Sequence, residues 1–398
     1  MSVGAKARSE DRWSEDDAAW RDPEGVMSGR RYPQPIDREL LDMKVSGDWW
    51  GVLERLDACL VVSREYEHLL LALTMAPEGP RQSFMSLPHP SGLSFDAHSE
   101  RLHVASTRNP NQLYELAPTV AADSNGHGAH AGERSLAPMS VSFLPGRLYL
   151  HDIALIGGVL HGSAAGLNAV VRLAGSSGWE VVWWPSAIER DGRPDLSRNY
   201  LQLNSIAAGE DLSSSFFSAS TDAPSKRRPG HRNFPVDRRG VIFSGATREP
   251  IARGLTRPHS ARLHRNELWV DDSGYGHLAK ISAGEPLPVT RLPGWTRGLT
   301  FAGDIAFVGT SRVIPRFARY APGLDVERSV CAVHALDTLS GEVLGSARWP
   351  AGNQIFDIAV LPRSTTLGFP TVAGRRQSRR AIDSFFFSYK VPNGVGVT

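Results

Sequence analysis

Six residues in this chain have types that could act together chemically: His151, Asp152, Asn204, His259, Arg297 and Asp357. Imidazole is the usual general acid or base near neutral pH and the commonest metal ligand. His151 and His259 could exchange protons with a substrate. With Asp357 they make an N/O donor set that could hold one divalent cation and leave a position open. A guanidinium at Arg297 could clamp a carboxylate or phosphate; the alternative is a structural salt bridge to Asp357 or Asp152. Asn204, Asp152 and Asp357 would orient the substrate. The bland alternative for the whole set is a ring of polar residues that hydrogen-bond strand ends around a water-filled channel. No Gly-rich phosphate loop, nucleophile elbow or zinc-protease helix motif is present, so no nucleotide cofactor is expected. Ser91 has no base partner in sequence. Asp271-Asp272, at a strand end, reads as a turn cap or supporting pair. His127, His130 and His231 are irregularly spaced and read as solvated loop residues.

These residues are far apart in sequence, so only a repeating architecture could gather them. Each belongs to a triplet with a polar residue before an apolar strand start: Ser91-Gly92-Leu93, His151-Asp152-Ile153, Asn204-Ser205-Ile206, His259-Ser260-Ala261, Arg297-Gly298-Leu299 and Phe356-Asp357-Ile358. They recur every ~40 to 60 residues, the range of propeller blades and other arrays. If each triplet opens the innermost strand of a blade, its polar residues converge on one mouth of a central channel. Short apolar runs with turn punctuation follow each triplet, as in Ser260–His264, Glu267–Asp272 and His277–Ile281, with Arg265-Asn266 as the first turn. Helical periodicity is nearly absent apart from a short turn at Leu53–Leu56. The fold expected is all-β, a β-propeller of about six blades, roughly five to seven being the range.

Residues 1–45 are rich in charge and Pro and lack a sustained apolar period, so they read as an N-terminal extension; 46–398 read as the propeller. Residues 121–135 and 221–235 read as long mobile loops, and Ser384–Tyr389 could return to close the ring on the first blade. Cys59 and Cys331 lie in apolar strand-like runs and read as buried free thiols, although first and last blades that adjoin could let them pair. The charge is nearly balanced, +2 on 44 basic and 42 acidic residues, which argues against a nucleic-acid footprint. With no apolar leader and no membrane-length apolar run, no membrane partner is expected, and the simplest placement is the cytoplasm.

Six stretches resemble an uncharacterised conserved-hypothetical family of bacterial proteins with a propeller-like pattern. They are His151–Ala154, Leu203–Ala207, Arg253–Arg262, Leu268–Gly274, Leu292–Leu299 and Gln354–Pro362. The likeness spans about residues 50 to 365 and departs where that family reads Asn-Gly, since Ser205 stands in place of the Gly. The family has no established activity, so the resemblance supports the fold and the choice of residues only.

The first functional expectation is an enzyme acting on a small polar or anionic molecule at the channel mouth, as a hydrolase, lyase or epimerase. The second is a non-catalytic module that binds a protein or glycan. Exposed loop aromatics would favour the module, with Trp49-Trp50 and Trp183-Trp184 as candidates; buried, convergent His and Arg would favour the enzyme.

Overall fold

The computed structural model describes residues 36–108, 111–120, 133–173, 178–224, 227 and 229–373. Apart from the short hairpin of Glu189–Arg190 and Arg193–Pro194, its strands form six antiparallel sheets of four or five strands, arranged as the blades of a propeller. The inner strands are Asp357–Pro362 (blade 1), Pro90–Asp96 (blade 2), Leu150–Ile156 (blade 3), Leu203–Ala207 (blade 4), Pro258–His264 (blade 5) and Trp295–Ala302 (blade 6). Every triplet identified in the sequence therefore lies on an inner strand or at its start.

Burial follows position within a blade. Ala58–Arg64, second in blade 1, is buried at every residue, because neighbouring blades cover both of its faces. It accordingly reads as a continuous apolar run without alternation. The fourth strand of blade 6, Val343–Arg348, reaches solvent and alternates. Two-residue turns join several strands. Arg265 and Asn266 have φ of 51° and 62°, and Gly157 and Gly158 have 57° and 77°, the paired positive values of a type I′ hairpin.

Six separate apolar clusters hold the ring, one at each contact between adjacent blades. The contact between blades 6 and 1 is reinforced from the N-terminal side. Lys44–Gly47 adds a fifth strand to blade 6, pairing Val45 with Ala347. The helix Trp49–Arg55 then packs Trp49 edge-on to Phe307 at 6.0 Å. This helix is longer than the turn expected at Leu53–Leu56, since Trp49, Val52 and Leu53 together supply a buried face.

The ring is closed by Asp357–Pro362, which pairs with Ala58–Arg64 from Asp357↔Ser63 to Pro362↔Ala58. This strand fills the inner position of blade 1. Ser384–Tyr389, His127 and His130, most of the 121–135 loop and residues 1–35 lie outside the described residues. Cys59 and Cys331 are both free and buried, and burial pushes each thiol up to about 12. Of the loop aromatics considered for a binding face, Trp49 and Trp183 are core residues at 0% and 4% exposure, while Trp50 is half-buried and Trp184 is half-buried with Arg248 over its ring.

Candidate functional site at the channel mouth

The inner strands begin at one end of the channel and place side chains there in layers. The outermost is a rim formed two residues before each triplet's first position: His89, Tyr149, Gln202, Arg257, Trp295 and Gln354. Four of these are non-glycine residues in the left-handed region, with φ of 47° at His89, 53° at Tyr149, 52° at Gln202 and 56° at Arg257. Such backbone costs about 1–3 kcal/mol per residue and persists only where surrounding structure enforces it. At Tyr149 the enforcing contact is Asn111 Oδ1, which accepts from the Tyr149 amide at 3.2 Å.

Below the rim lie Ser91, His151, Asn204, His259, Arg297 and Phe356, all buried. His151 and His259 stack with ring centroids 6.4 Å apart. His259 is held from behind, with Nδ1 2.9 Å from both the Arg257 carbonyl and Ser273 Oγ. A carbonyl can only accept, so Nδ1 carries the proton and Nε2 is the basic nitrogen. His151 is held differently. Tyr149 and Phe356 pack on its ring, yet both nitrogens are buried without a hydrogen bond. Asn204 lies beside it, donating from Nδ2 to the Pro258 carbonyl at 2.8 Å and leaving its own Oδ1 unpartnered.

Arg297 lies flat on Phe356, its guanidinium carbon 3.2 Å from the ring centroid. It is 9% exposed, Nη2 has no partner, and among the described residues no carboxylate forms an ion pair with it, the charges of Glu65 and then Asp357 acting on it from further away. Burial, then the charges of Arg297, Arg108 and Arg257, hold His151 well below the usual histidine range. Burial and then Arg297 do the same to His259. Both imidazoles are therefore neutral at pH 7, in a mouth whose field is positive.

The next position along the inner strands is structural. Asp357 Oδ2 accepts from the Leu93 amide at 2.8 Å, and Asp152 Oδ2 from the Ile206 amide at 2.9 Å. Ser205 Oγ accepts from the Ala261 amide and Ser260 Oγ from the Gly298 amide, each at 2.8 Å. Each bond joins one blade to the next. The remaining positions are Gly92 and Gly298, where neighbouring backbone comes too close for a side chain. Ser205, the departure from the family's Asn-Gly, thus supplies a latch from blade 4 to blade 5.

Arg262 completes this layer. It donates to Asp152 Oδ2 at 2.7 Å, to Asp357 Oδ1 at 3.3 Å and to the Leu299 carbonyl at 3.1 Å. Burial alone would lower its pKa, but Asp152 and Asp357 outweigh it and the net direction is up. Burial lifts Asp357 to about 7 against the pull of Arg262, with Asp152 adding to the rise. The salt bridge that the sequence offered to Arg297 is made by Arg262 instead. The expected metal triad of His151, His259 and Asp357 is not assembled either, because Arg262 and backbone amides engage the carboxylate of Asp357. Among the described residues, no three or more His, Cys, Asp or Glu side chains are grouped to hold a metal ion. Asp271 and Asp272 lie on the second strand of blade 5. Asp272 accepts from the Thr256 amide at 2.6 Å, as a cap does, and Asp271 is wholly buried.

Sequence reading missed Glu65, Tyr66 and Arg108, which share the electrostatic environment of Arg297. They follow the second strands of blades 1 and 2, Ala58–Arg64 and Arg101–Ser106. An antiparallel hairpin returns the chain to the face where its inner strand began, so the residues just after each second strand were the available signal.

Comparison with solved structures finds distant likenesses at the level of fold. A chain of the nidogen/laminin complex is 11% identical, with a TM-score of 0.49, covering 76% of this chain and 98% of its own. A gluconolactonase from Xanthomonas campestris is 11% identical, with a TM-score of 0.42, covering 71% of this chain and 84% of its own. The β-propeller domain of Cps50 (Swd1) from Myceliophteria thermophila is 9% identical, with a TM-score of 0.37, covering 77% and 98%. No curated protein matches the chain. No helix among the described residues is long and apolar enough to cross a membrane. The model of one family, described as Domain of unknown function (DUF4915), matches residues 47–367, from just before the helix Trp49–Arg55 to just past the ring-closing strand, and the chain belongs to that family.

Proposed function

We propose that the channel mouth is the active site of an enzyme acting on a small polar or anionic molecule by histidine acid–base chemistry. Arg297 carries this reading: a buried guanidinium, stacked on Phe356, with no carboxylate partner. Burial works against this charge, Glu65 and Asp357 act on it without a direct ion pair, and a bound anion would offset what remains of the cost. Arg297 would clamp the anionic group, Asn204 and His151 would orient the remainder, and His259 Nε2 would take a proton from the substrate. A depressed histidine is a weak base, but the incoming anion would cancel part of the field of Arg297 and raise His259 toward neutrality. In elimination that proton would pass to the leaving group; in epimerisation His151 would give a proton to the opposite face; in hydrolysis His259 would take the proton from the attacking water instead and give it to the leaving group. These steps call on no cation, and the carboxylate that would complete a ligand set, Asp357, is engaged by Arg262.

The test is calorimetric titration of wild type and Arg297→Met with acetate and with inorganic phosphate, beside urea unfolding of both proteins. Wild type should bind at least one anion, with a loss of at least ~10-fold in the variant. Stability should hold or rise by up to about 1 kcal/mol, since a buried unpaired charge is removed. Equal binding by both proteins, or no anion binding by wild type, would overturn the proposal.

A further inference from the structure

The unsatisfied atoms of the mouth specify more than an anion. Resting on the reading above, we propose that the ligand is a small carboxylate carrying neutral hydroxyl groups, that is, a short polyhydroxy acid.

The argument is one of matching donors to acceptors. Arg297 Nη2 is a donor without a partner. Asn204 Oδ1 is an acceptor without a partner, in a side chain only 1% exposed. His151 is 6% exposed with both nitrogens unpartnered, so as a neutral ring it presents one donor and one acceptor. His259 adds an acceptor, because the Arg257 carbonyl fixes its proton on Nδ1. These four side chains, in the layer below the rim, therefore present two donors and three acceptors, with Asn204 and His151 close enough to serve each other when no ligand is bound.

A carboxylate offers acceptors only. It suits Arg297 and the His151 N–H, and leaves Asn204 Oδ1 and the basic imidazole nitrogens unmet. Leaving such buried groups unpaired costs about 1–3 kcal/mol each. The ligand must therefore bring donors beside its charge. Ammonium is the wrong donor, because Arg297, Arg108 and Arg257 already depress the histidines by their positive charge. Hydroxyl is the donor that fits, since it brings a proton without a charge. Phe356 and Tyr149, both packed on His151, make the lining there partly apolar, which suits a carbon skeleton.

The experiment uses matched probes on the full-length chain: glycerate and threonate, each as both enantiomers, against propionate, glycerol and serine. Affinity is read by calorimetry for wild type, His151→Phe and Arg297→Met. At least one hydroxy acid should bind wild type ~10-fold or more tightly than propionate, glycerol and serine. In His151→Phe both acids should weaken, and the preference for the hydroxy acid over propionate should fall, because the hydroxy acid loses the His151 acceptor as well. In Arg297→Met binding of every acid should fall. Propionate binding as well as the hydroxy acids, or serine binding better than both, overturns the hydroxyl assignment and leaves the anion site standing. No binding of any acid by wild type overturns both readings.

Discussion

At the scale of single residues, the channel separates charges that are compensated from charges that are not. Asp152 and Asp357 share Arg262 and also serve as acceptors for neighbouring blades. Arg297, with no such partner, is left as the cation available to a ligand. Asp271 is a buried carboxyl that takes no part in these ion pairs. It is fully buried, neither oxygen is hydrogen-bonded with good geometry, and burial holds its carboxyl well above the usual range. A carboxyl raised on folding contributes stability that is present below its unfolded pKa of about 4 and is lost as pH rises. Asp271→Asn should therefore match wild type near pH 4 and become progressively more stable than it toward pH 7. Urea unfolding at a series of pH values checks this; a constant difference across the range would mean that Asp271 is ionised in the fold.

At the scale of elements, function depends on how closely adjacent inner strands approach. A Cβ on Gly92 would lie 2.7 Å from the Ile153 amide nitrogen and 2.8 Å from the Asp152 Cα. Both are backbone atoms, so no side chain can swing aside to relieve the contact. Gly92→Ala should push blades 2 and 3 apart and displace His151-Asp152 with them. We expect a loss of about 1–3 kcal/mol, as for overpacking, together with weaker binding at the mouth. Thermal unfolding and the acetate titration measure the two effects, and a variant unchanged in both would show that the strands can separate freely. The elements were the most legible level of the sequence. The Arg265-Asn266 turn and the Glu267–Asp272 strand were read from local chemistry alone, because turn preference and apolar patterning act within a few residues. The helix Trp49–Arg55 was under-read because three of its apolar residues are explained by a groove between blades 6 and 1 that no local pattern announces.

For the whole molecule, closure decides whether there is a site at all. Blade 1 takes its inner strand and its outermost strand, Thr371–Val372, from the end of the described chain and the three between them from its beginning, so the ring is joined by hydrogen bonds between Asp357–Pro362 and Ala58–Arg64. A chain ending at Phe356 would leave Leu60 and Val62, both fully buried, facing solvent. We expect it to lose cooperative unfolding, whereas a chain ending at Ala373 retains it; circular dichroism during thermal unfolding separates the two. A cooperative transition in the shorter chain would show that the ring holds without its joining strand.

The residues alone determined that the chain is a propeller and which side chains open its inner strands, because each triplet is a local signal repeated at blade spacing. They also carried the candidates His151, Asn204, His259 and Arg297 to one layer of the channel. They did not determine which charges pair there. Arg262 lies three residues beyond His259, in a run that reads as ordinary strand, and only the closed ring brings it to Asp152 and Asp357 from two other blades. The tertiary structure thus decided which aspartates are structural and which arginine is unpaired, since Coulomb energy depends on distance through space and the residues concerned are as many as 110 positions apart in sequence.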